Sequence, residues 1–502
     1  MIKRLARSGG AVYLLLAAYF VLNIVLRLLA PASLELDEGQ QLFLAQWFAI
    51  GYDTQPPFYN WLQYGVVQLL GSTVLAVSAL KNLMLFGCYL LFGLTASLVI
   101  RDRVLAVIAT LGLITIPQIG FEAQRDLTHT VAVLFAACMF IHFFIRSLQR
   151  PNILNYALTG IAIGIGVISK YNFVMLPLAA VIAALPDRAF RARLFDPRVL
   201  LTALLATAVV APHALWFIDH VGEATSGSIG KMTDDAHGSR IEMIGEGLLS
   251  LAGAIAAFTL PTLLFFAVAF GRTLLNAWKA QNQWTRLIGR MFLIFAVVLL
   301  LLVVVGGADN FKDRWLVPMF FLLPIYLSAK IEASGEPLAG APQRFGAIVL
   351  SIMVIIPLVL FARTPILGAM GRYSKQNVPY GPAITAILAS GKDRPSVILA
   401  DDQQMAGNLR LHAPADIPVM VPGYESLEQP YVFDAAHPAL VIWRNKGKPD
   451  PKLPSDMAAW LEARPELRGV RPEAKDAALP YHYGRDGDAY HFAYAWIYPT
   501  GL

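Results

Sequence analysis

The sequence predicts a polytopic α-helical membrane protein with amphipathic helices in its first external loop and a small soluble α/β domain at its C-terminus. The 502-residue chain is 57% hydrophobic and 15% charged, with a mean hydropathy of +0.56. A soluble domain of this size does not carry so much apolar surface. The apolar residues also occur in runs of about twenty, which cross a bilayer as helices, whereas a β-barrel has short alternating segments.

About eleven apolar segments are predicted to be membrane helices. The first follows Lys3, Arg4 and Arg7 as a signal peptide would, but it is too long for the apolar part of one, so we expect a retained first helix. The predicted segments lie near residues 11–30, 74–99, 104–120, 127–145, 153–169, 171–186, 199–218, 248–270, 291–306, 315–329 and 345–362.

Basic residues cluster in alternate loops between these segments. Cytoplasmic loops are enriched in Lys and Arg, so this alternation predicts a cytoplasmic N-terminus in a bacterial inner membrane and an external, periplasmic C-terminus. It also accounts for the net charge of +6 without a nucleic-acid partner. The residues concerned are Arg101, Arg103, Arg146, Arg150, Arg188, Arg191, Arg193, Arg198, Arg272, Lys279, Arg286, Arg290, Lys330 and Arg344.

The chain is predicted to divide into a transmembrane domain, residues 1–362, and a soluble external α/β domain, residues 363–502. Strand-like and helix-like runs alternate in the second part, as in a small α/β unit. The predicted strands are residues 396–400, 417–421 and 439–443, and the predicted helices are residues 403–412 and 455–464.

The first external loop, residues 31–73, is called the acidic loop here, because it carries Glu35, Asp37, Glu38 and Asp53 and no Lys or Arg. The spacing of three apolar residues in it predicts an amphipathic helix over residues 40–50. A second helix is expected to begin at the Pro-Pro pair that follows, since proline is tolerated in the first turn of a helix.

Other predicted external turns carry charges that the positive-inside rule does not explain. The turn after the third segment has Glu122, Arg125, Asp126 and His129. Two further turns carry Lys170 and the run Lys312, Asp313 and Arg314. Acids and cations at helix ends, at one depth, suit a site that activates an acceptor and stabilises an anionic phosphate leaving group.

The same residues also have purely structural explanations. Asp37 could cap the helix that follows it. Arg125 could pair with Asp126, Arg314 could pair with Asp313, and the Lys170 side chain could extend to the membrane surface. His129 could be a packing residue rather than a ligand.

Several motifs in this order resemble one family of membrane enzymes. The run LDEGQQLFLAQWFAIGYDTQPPFYNWL, with its Asp-Glu, Gly-Tyr and Pro-Pro pairs, is similar to the first external loop of lipid-carrier-dependent glycosyltransferases of families 39 and 83, in the GT-C superfamily. The later runs GIAIGIGVISKY and KDRWLVPMFFLLP resemble two further spans of that family. The group includes protein mannosyltransferases, the lipid A aminoarabinose transferase and rhizobial galacturonosyltransferases, and the resemblance extends over roughly residues 10–330.

The resemblance implies transfer of a sugar from a polyprenyl-phosphate donor to lipid A or lipopolysaccharide, another glycan or a protein, on the external face and with inversion. Asp37 is the expected general base, with Glu38 and Asp126 as further catalytic acids. No cofactor is required, and a divalent cation held by Asp37 and Asp126 is left open. The expected phosphate-binding residues are Arg125, Lys170 and Arg314, and the expected substrate-binding residues are Tyr52, Gln55, Glu122 and Tyr171.

One departure from the family pattern concerns Gln55. Many relatives have a lysine directly before the Pro-Pro pair, where it is expected to contact the donor phosphate, and this chain has Gln55 there. Phosphate binding would then depend on Arg125, Lys170 or Arg314, or else the preference for the donor or the acceptor differs from that of the relatives.

The sequence leaves two other kinds of protein open. A flippase or transporter of polyprenyl-linked lipids could have a similar number of helices, but it would place charges along a path across the bilayer, where this chain has only Lys81 and Arg27 as candidates. A non-catalytic scaffold would leave the acidic loop unexplained.

Overall fold

A computed structural model describes residues 1–222, 224–225, 239–427, 429–445, 451–470 and 472–499. These residues form two compact units. The membrane unit consists of Met1–Leu22, Asp53–Tyr59 and Lys81–Ile356, and the C-terminal unit consists of Asn23–Tyr52, Asn60–Leu80 and Pro357–Leu502. Most of the acidic loop therefore belongs to the C-terminal unit, and residues 53–59 belong to the membrane unit.

The described helices before the C-terminal sheet are as follows. They are α1 (Ile2–Arg7), α2 (Ala11–Leu29), α3 (Leu36–Leu44), α4 (Phe58–Leu70), α5 (Val74–Val99), α6 (Arg103–Gly112), α7 (Ala123–Arg125), α8 (Thr128–Gln149), α9 (Ile153–Val167), α10 (Met175–Ala184), α11 (Arg188–Leu194) and α12 (Val199–Asp219). They continue with α13 (Arg240–Phe270), α14 (Arg272–Ala277), α15 (Gln283–Val304), α16 (Val317–Phe320), α17 (Leu323–Ser334), α18 (Ala341–Ala369) and α19 (Tyr380–Ala389).

The membrane-protein class is confirmed, but the count of eleven spans is not. Among the described residues, seven helices are long and apolar enough to cross a membrane, or up to nine if two bent pairs each count as one span. The predicted segments 153–169 and 171–186 do form apolar helices, Ile153–Val167 and Tyr171–Ala184, but these are shorter than a full span. Their length explains why the two counts differ.

The two bent pairs correspond to the predicted segments 104–120 and 315–329. Arg103–Thr115 and Gln118–Arg125 meet at 70°, and Asp313–Phe320 and Leu323–Ser334 meet at 43°. In the first pair Ile116 has an extended backbone, with φ −84° and ψ 113°. The following Pro117 accounts for this, since a residue before proline is disfavoured in the α conformation.

Glycines allow close helix packing in the membrane unit. A Cβ atom at Gly160 of α9 would lie 2.4 Å from the Thr202 carbonyl oxygen of α12, and one at Gly164 would lie 2.5 Å from the Val209 Cβ. Small residues at helix crossings let membrane helices approach in this way. The α9 glycines therefore position the turn that follows this helix, which contains Lys170.

The α/β character of the C-terminal domain is confirmed. Its five strands are β1 (Val397–Ala400), β2 (Val419–Met420), β3 (Ala439–Arg444), β4 (Lys475–Pro480) and β5 (Ala489–Ile497), and its further helices are α20 (Gln403–His412) and α21 (Ser455–Glu462). The strand order is β2-β1-β3-β5-β4, with β1 parallel to β2 and β3, and β5 antiparallel to β3 and β4. The sequence predicted the first three strands and both helices, but not β4 and β5. The predicted division at residue 362 falls inside α18.

The amphipathic helix predicted over residues 40–50 is wrong in its bounds. The helix is α3, Leu36–Leu44, and it begins earlier because Glu35 and Glu38 form a capping box at its first turn. Trp47 and Ile50 lie beyond its end. The second predicted helix is confirmed as α4, which begins at Phe58, directly after Pro57.

Helix α3 packs against α20 of the C-terminal domain with almost no side chain between the two backbones. A Cβ atom at Gly407 would lie 2.0 Å from the Gly39 carbonyl oxygen. Both backbone groups of Leu34 form hydrogen bonds with side chains of α20. The Leu34 N–H donates to Asn408 Oδ1 (3.0 Å), and the Leu34 carbonyl accepts from Gln404 Nε2 (2.8 Å). The start of the acidic loop is therefore fixed to the C-terminal domain.

Candidate active site

Two arginines hold the first turn of α3 through buried carboxylates. Arg27 donates to both oxygens of Glu38, at 3.3 and 2.9 Å, and Arg363 donates to Glu35 Oε1. Glu38 is 2% exposed and Glu35 8%. Glu38 Oε2 also accepts from the Glu35 N–H at 3.2 Å. A buried carboxylate is costly unless it is paired and hydrogen-bonded, and both conditions are met here.

Asp37 lies between these two glutamates in sequence but on another side of α3. Together with Leu36 and Gln40 it lines a cavity of about 400 Å³ within the C-terminal unit. Residues three apart lie on one face of a helix, so Asp37 and Gln40 face this cavity while Glu35 and Glu38 face the arginines. Of Asp37 and Glu38, only Asp37 lines this cavity, where it is half-buried.

The C-terminal domain supplies the rest of the cavity lining. The residues are Asp401, Asp402, Gln403, Gln404, Val421, Pro422 and Tyr424. Arg444 on β3 donates to both oxygens of Asp402 and to Gln404 Oε1, and Asp402 also caps α20 by accepting from the Met405 N–H. The charge of Asp402 is therefore largely compensated.

Asp401 is in a different electrostatic position from Asp402. Its Oδ2 accepts from the Arg444 backbone N–H at 3.0 Å, and its Oδ1 is buried without a hydrogen-bond partner among the described residues. Burial raises the pKa of the Asp401 carboxyl, and the charge of Asp402 adds to this, while Arg444 acts in the opposite direction. The carboxyl therefore holds a proton at a higher pH than an exposed aspartate does.

Tyr52, a predicted substrate-binding residue, braces the end of the acidic loop. Its hydroxyl donates to the Trp47 carbonyl at 2.9 Å and accepts from the Ala49 N–H at 3.1 Å. Burial raises its pKa to about 12. It is 1% exposed, so direct contact with a substrate would require the loop to open.

In the membrane unit, residues 53–59 of the acidic loop lie beside the turn that contains Lys170. The Phe58 N–H donates to the Ile168 carbonyl at 3.0 Å, and the Tyr59 ring lies 6.0 Å from the His129 ring. Gln55 is half-buried, and its backbone N–H donates to Asp53 Oδ1 at 3.0 Å. Gln55 and Lys170 therefore belong to adjoining segments.

Hydrogen bonds also join the other predicted turns in this unit. Lys170 Nζ donates to Thr130 Oγ1 at 3.3 Å, at the start of α8. Asn172 Nδ2 donates to the Trp315 carbonyl at 2.9 Å, and Gln118 Nε2 donates to Asp313 Oδ2 at 2.6 Å. The turns that carry Asp126, Lys170 with Tyr171, and Arg314 are thus held in one cluster.

Two of the structural pairings considered from the sequence are not those observed. Arg125 pairs with Glu122 at 2.6 Å rather than with Asp126, and both side chains are partly exposed. Asp313 accepts from the Arg314 backbone N–H at 2.7 Å, while the Arg314 guanidinium is exposed and makes no ion pair within the described ranges. Asp126 is half-buried, directly before the left-handed Leu127 (φ 63°).

Lys81 is a buried cation that the site prediction did not include. It is 3% exposed on α5, and its Nζ donates to the Gln124 carbonyl at 3.1 Å, in the turn between Glu122 and Asp126. A lysine inside an apolar helix is a signal of function in itself, because burying an ammonium group is costly. That signal is present in the sequence, but its position beside residues 122–126 depends on the fold.

No metal centre is evident in the part of the chain that the structure describes, since no group of three or more His, Cys, Asp or Glu side chains is arranged to hold an ion. A cation held by Asp37 and Asp126 stays a prediction.

The chain is similar to several known glycosyltransferases in sequence and in fold. Residues 54–216 match the family model of dolichyl-phosphate-mannose-protein mannosyltransferases. The chain is 45% identical to the lipopolysaccharide core galacturonosyltransferase RgtB of Rhizobium johnstonii and 39% identical to RgtA of the same organism, each over 99% of both chains. The crystal structure of ArnT from Cupriavidus metallidurans bound to undecaprenyl phosphate has a similar fold, with a TM-score of 0.61 at 13% identity over 97% of this chain and 98% of that one.

Proposed function

Since the chain belongs to the GT-C glycosyltransferases, in the family of the lipopolysaccharide core galacturonosyltransferases, we propose that it transfers galacturonic acid from a polyprenyl phosphate to a sugar of the lipopolysaccharide core. The observation that carries this proposal is the 45% identity to RgtB over 99% of both chains. The chain is an enzyme and a multi-pass protein of the bacterial inner membrane. The similarity to named galacturonosyltransferases favours this activity over the transport of polyprenyl-linked lipids.

The reaction is proposed to take place on the external face, as a single displacement with inversion. An acceptor hydroxyl oxygen forms a bond to the anomeric carbon of the donor sugar. The bond from that carbon to the phosphate oxygen breaks, and its electron pair leaves with the polyprenyl phosphate. The hydroxyl proton passes to Asp37, which acts as general base. The position of Asp37 in the lining of the cavity beside α3 supports this assignment.

Glu38 is better explained as a positioning residue than as a second base. Its oxygens are already used by Arg27 and by the Glu35 backbone, and it is 2% exposed. It fixes the first turn of α3 and with it the direction of the Asp37 side chain.

Lys170 and Arg314 are proposed to stabilise the departing phosphate. Their turns are joined by the bond from Asn172 to Trp315, and the Arg314 guanidinium is exposed. Fixed cations aimed at developing negative charge are usually a large contribution to catalysis. Arg125 is a weaker candidate because Glu122 already pairs with it. Lys81, buried beside residues 122–126, is added to the candidates, and Asp126 and Tyr171 are proposed to contact the substrates from the same cluster.

The function is tested with the purified full-length protein in lipid nanodiscs. The donor is undecaprenyl phosphate galacturonic acid, and the acceptor is lipopolysaccharide from a strain in which this gene is deleted. Mass spectrometry of the product is expected to find one added hexuronic acid residue, and undecaprenyl phosphate glucose is expected to give no product. Transfer of glucose instead, or transfer from neither donor, would contradict the proposed activity.

A further inference from the structure

The cavity beside Asp37 has the lining of a saccharide site rather than of a lipid or phosphate site. Gln40 and Gln403 are amides, which both donate and accept hydrogen bonds, and Asp37 and Asp401 are acceptors. Sugar hydroxyls both donate and accept, so they match this mixture. A phosphate group would instead meet several carboxylates, and the Arg444 side chain is already bonded to Asp402 and Gln404.

Tyr424 gives the cavity an aromatic wall that is held in place. Its ring packs edge-on against Phe43 of α3, with ring centroids 5.3 Å apart and an angle of 88° between the planes. Its hydroxyl accepts a hydrogen bond from the Gln403 amide. A few placed polar groups beside an aromatic side chain are typical of small-molecule sites.

The Asp401 carboxylate offers an unused acceptor in this cavity. Asp401 Oδ1 is buried without a hydrogen-bond partner in the described ranges, while Oδ2 is bonded to the Arg444 N–H. An unsatisfied buried oxygen costs free energy, which a ligand hydroxyl could recover.

The same cavity is formed by the proposed general base and by the C-terminal domain. Asp37 and Gln40 come from α3, while Asp401 and Gln403 come from the loop after β1 and the first turn of α20. Because α3 and α20 are in backbone contact at Gly39 and Gly407, the distance from Asp37 to the domain's polar groups is fixed. A sugar bound by the domain would therefore be held at a constant position relative to Asp37.

We propose that this cavity binds the saccharide part of the acceptor through its hydroxyl groups, and that the C-terminal domain thereby selects the acceptor. The inference rests on the proposed function for the identity of Asp37 as base, but the domain's part in it has its own test. Asp401, Gln403 and Tyr424 are the residues that select, and the donor is bound elsewhere.

The test uses the full-length protein and the variants Asp401→Asn and Gln403→Ala. The matched control is Asp416→Asn, an exposed aspartate on the same domain that pairs with Arg394 outside the cavity. The probe for direct binding is the delipidated core oligosaccharide of the same acceptor lipopolysaccharide, measured by calorimetry without donor. The second readout is steady-state transfer with each substrate varied in turn, after thermal unfolding has shown that each variant is folded.

Asp401→Asn is expected to weaken oligosaccharide binding and to raise the acceptor KM about tenfold, with the donor KM unchanged, because one charged hydrogen bond is lost. Gln403→Ala is expected to act in the same direction with a smaller change. The control variant Asp416→Asn should have the same oligosaccharide affinity and the same acceptor KM as the wild type. If Asp401→Asn does not fold, Gln403→Ala decides alone.

Two outcomes separate this inference from the proposed function. Normal transfer with acceptor binding and KM unchanged in both cavity variants would overturn the inference and leave the function standing. Oligosaccharide binding that the cavity variants weaken, in a protein that transfers no sugar, would overturn the function and support the binding site. A rise in the donor KM alone would assign the cavity to the donor and overturn the inference.

Discussion

Arg27 and Glu38 form a buried ion pair in which the guanidinium donates to both carboxylate oxygens, and this pair fixes the helix that carries Asp37. Arg27 comes from the last turns of α2, so the first membrane helix sets the start of the acidic loop. The pair also explains the arginine in an apolar helix that the sequence left unassigned.

The first prediction separates positioning from catalysis at Glu38. Arg27→Met alone should lower the stability of the protein by about 3 kcal/mol, because it leaves a buried carboxylate without its partner. The double variant Arg27→Met/Glu38→Leu should regain most of that stability, since apolar residues of similar volume can replace a buried pair. Thermal unfolding measures stability, and the transfer assay measures activity.

If Glu38 acts only by positioning, the double variant should also regain part of the transfer activity. A double variant that is stable but as inactive as Asp37→Asn would instead assign Glu38 to the chemistry. The exposed pair Arg394 and Asp416 gives a control, because its replacement should change neither quantity measurably.

The second prediction concerns the contact between α3 and α20. Gly407→Ala should destabilise the protein by about 3 kcal/mol and reduce transfer, because the added methyl group would collide with the Gly39 carbonyl. Gly65→Ala on α4 is the matched control, since a Cβ atom there meets nothing within 4 Å. The control should be neutral or more stable. Equal unfolding temperatures for both variants would mean that the two helices do not pack in this way.

The third prediction uses the position of Gln55 beside the Lys170 turn. Lys170→Gln should raise the donor KM and lower kcat together, because the phosphate is bound in the ground state and gains charge as it leaves. Gln55→Lys in that background should recover part of the activity, since the two segments adjoin through Phe58 and Ile168. Steady-state kinetics with varied donor measure both effects, and Lys392→Gln, on the C-terminal domain, is the control.

Kinetics of the Lys170 variant equal to those of the wild type would remove this residue from the phosphate site. A clear loss in Lys170→Gln that Gln55→Lys does not repair would keep Lys170 at the phosphate and place Gln55 away from it.

The fourth prediction follows from the raised pKa of Asp401. A carboxyl whose pKa is higher in the folded state binds its proton more tightly when folded, so its contribution to stability is present at acid pH and is lost as pH rises through the folded pKa. In the Asp401→Asn variant the side chain is an amide, which does not ionise. The unfolding temperature of this variant relative to the wild type should therefore rise as the pH is increased above the pKa of an ordinary aspartate. If the difference in unfolding temperature between Asp401→Asn and the wild type did not change with pH, the raised pKa of Asp401 would be contradicted.

Much of the fold could be predicted from the sequence because apolar length and periodicity are local properties. Helices occupy most of each predicted membrane segment, and β1, β3 and α20 lie close to the predicted positions. The bends and the two short helices were not predicted, since hydropathy does not measure the angle of a helix break. Strand β4 was missed because its sequence KDAALP is largely exposed and reads as a loop.

The candidate site, too, could be predicted only where it depends on residues that are close in sequence. The sequence predicts Asp37 and Glu38 as a pair, but their different surroundings, the cavity for Asp37 and the Arg27 guanidinium for Glu38, follow from the fold. Arg363 reaches Glu35 across 328 positions, and no pattern in the sequence joins them. Asp401 and Tyr424 carry no motif, so their place beside Asp37 required the packing of α3 on α20. Lys81 was noticed as an unusual charge, but its neighbour Gln124 was not.

The proposed role of Asp37 as general base is tested most directly by the transfer rate of Asp37→Asn, measured beside Asp416→Asn with undecaprenyl phosphate galacturonic acid and core lipopolysaccharide. Loss of a general base typically costs about a hundredfold or more, so Asp37→Asn should lose at least that much kcat at an unchanged unfolding temperature, and the control should keep full activity. An Asp37→Asn variant that is folded and transfers galacturonic acid at close to the wild-type rate would contradict the role of Asp37 as general base.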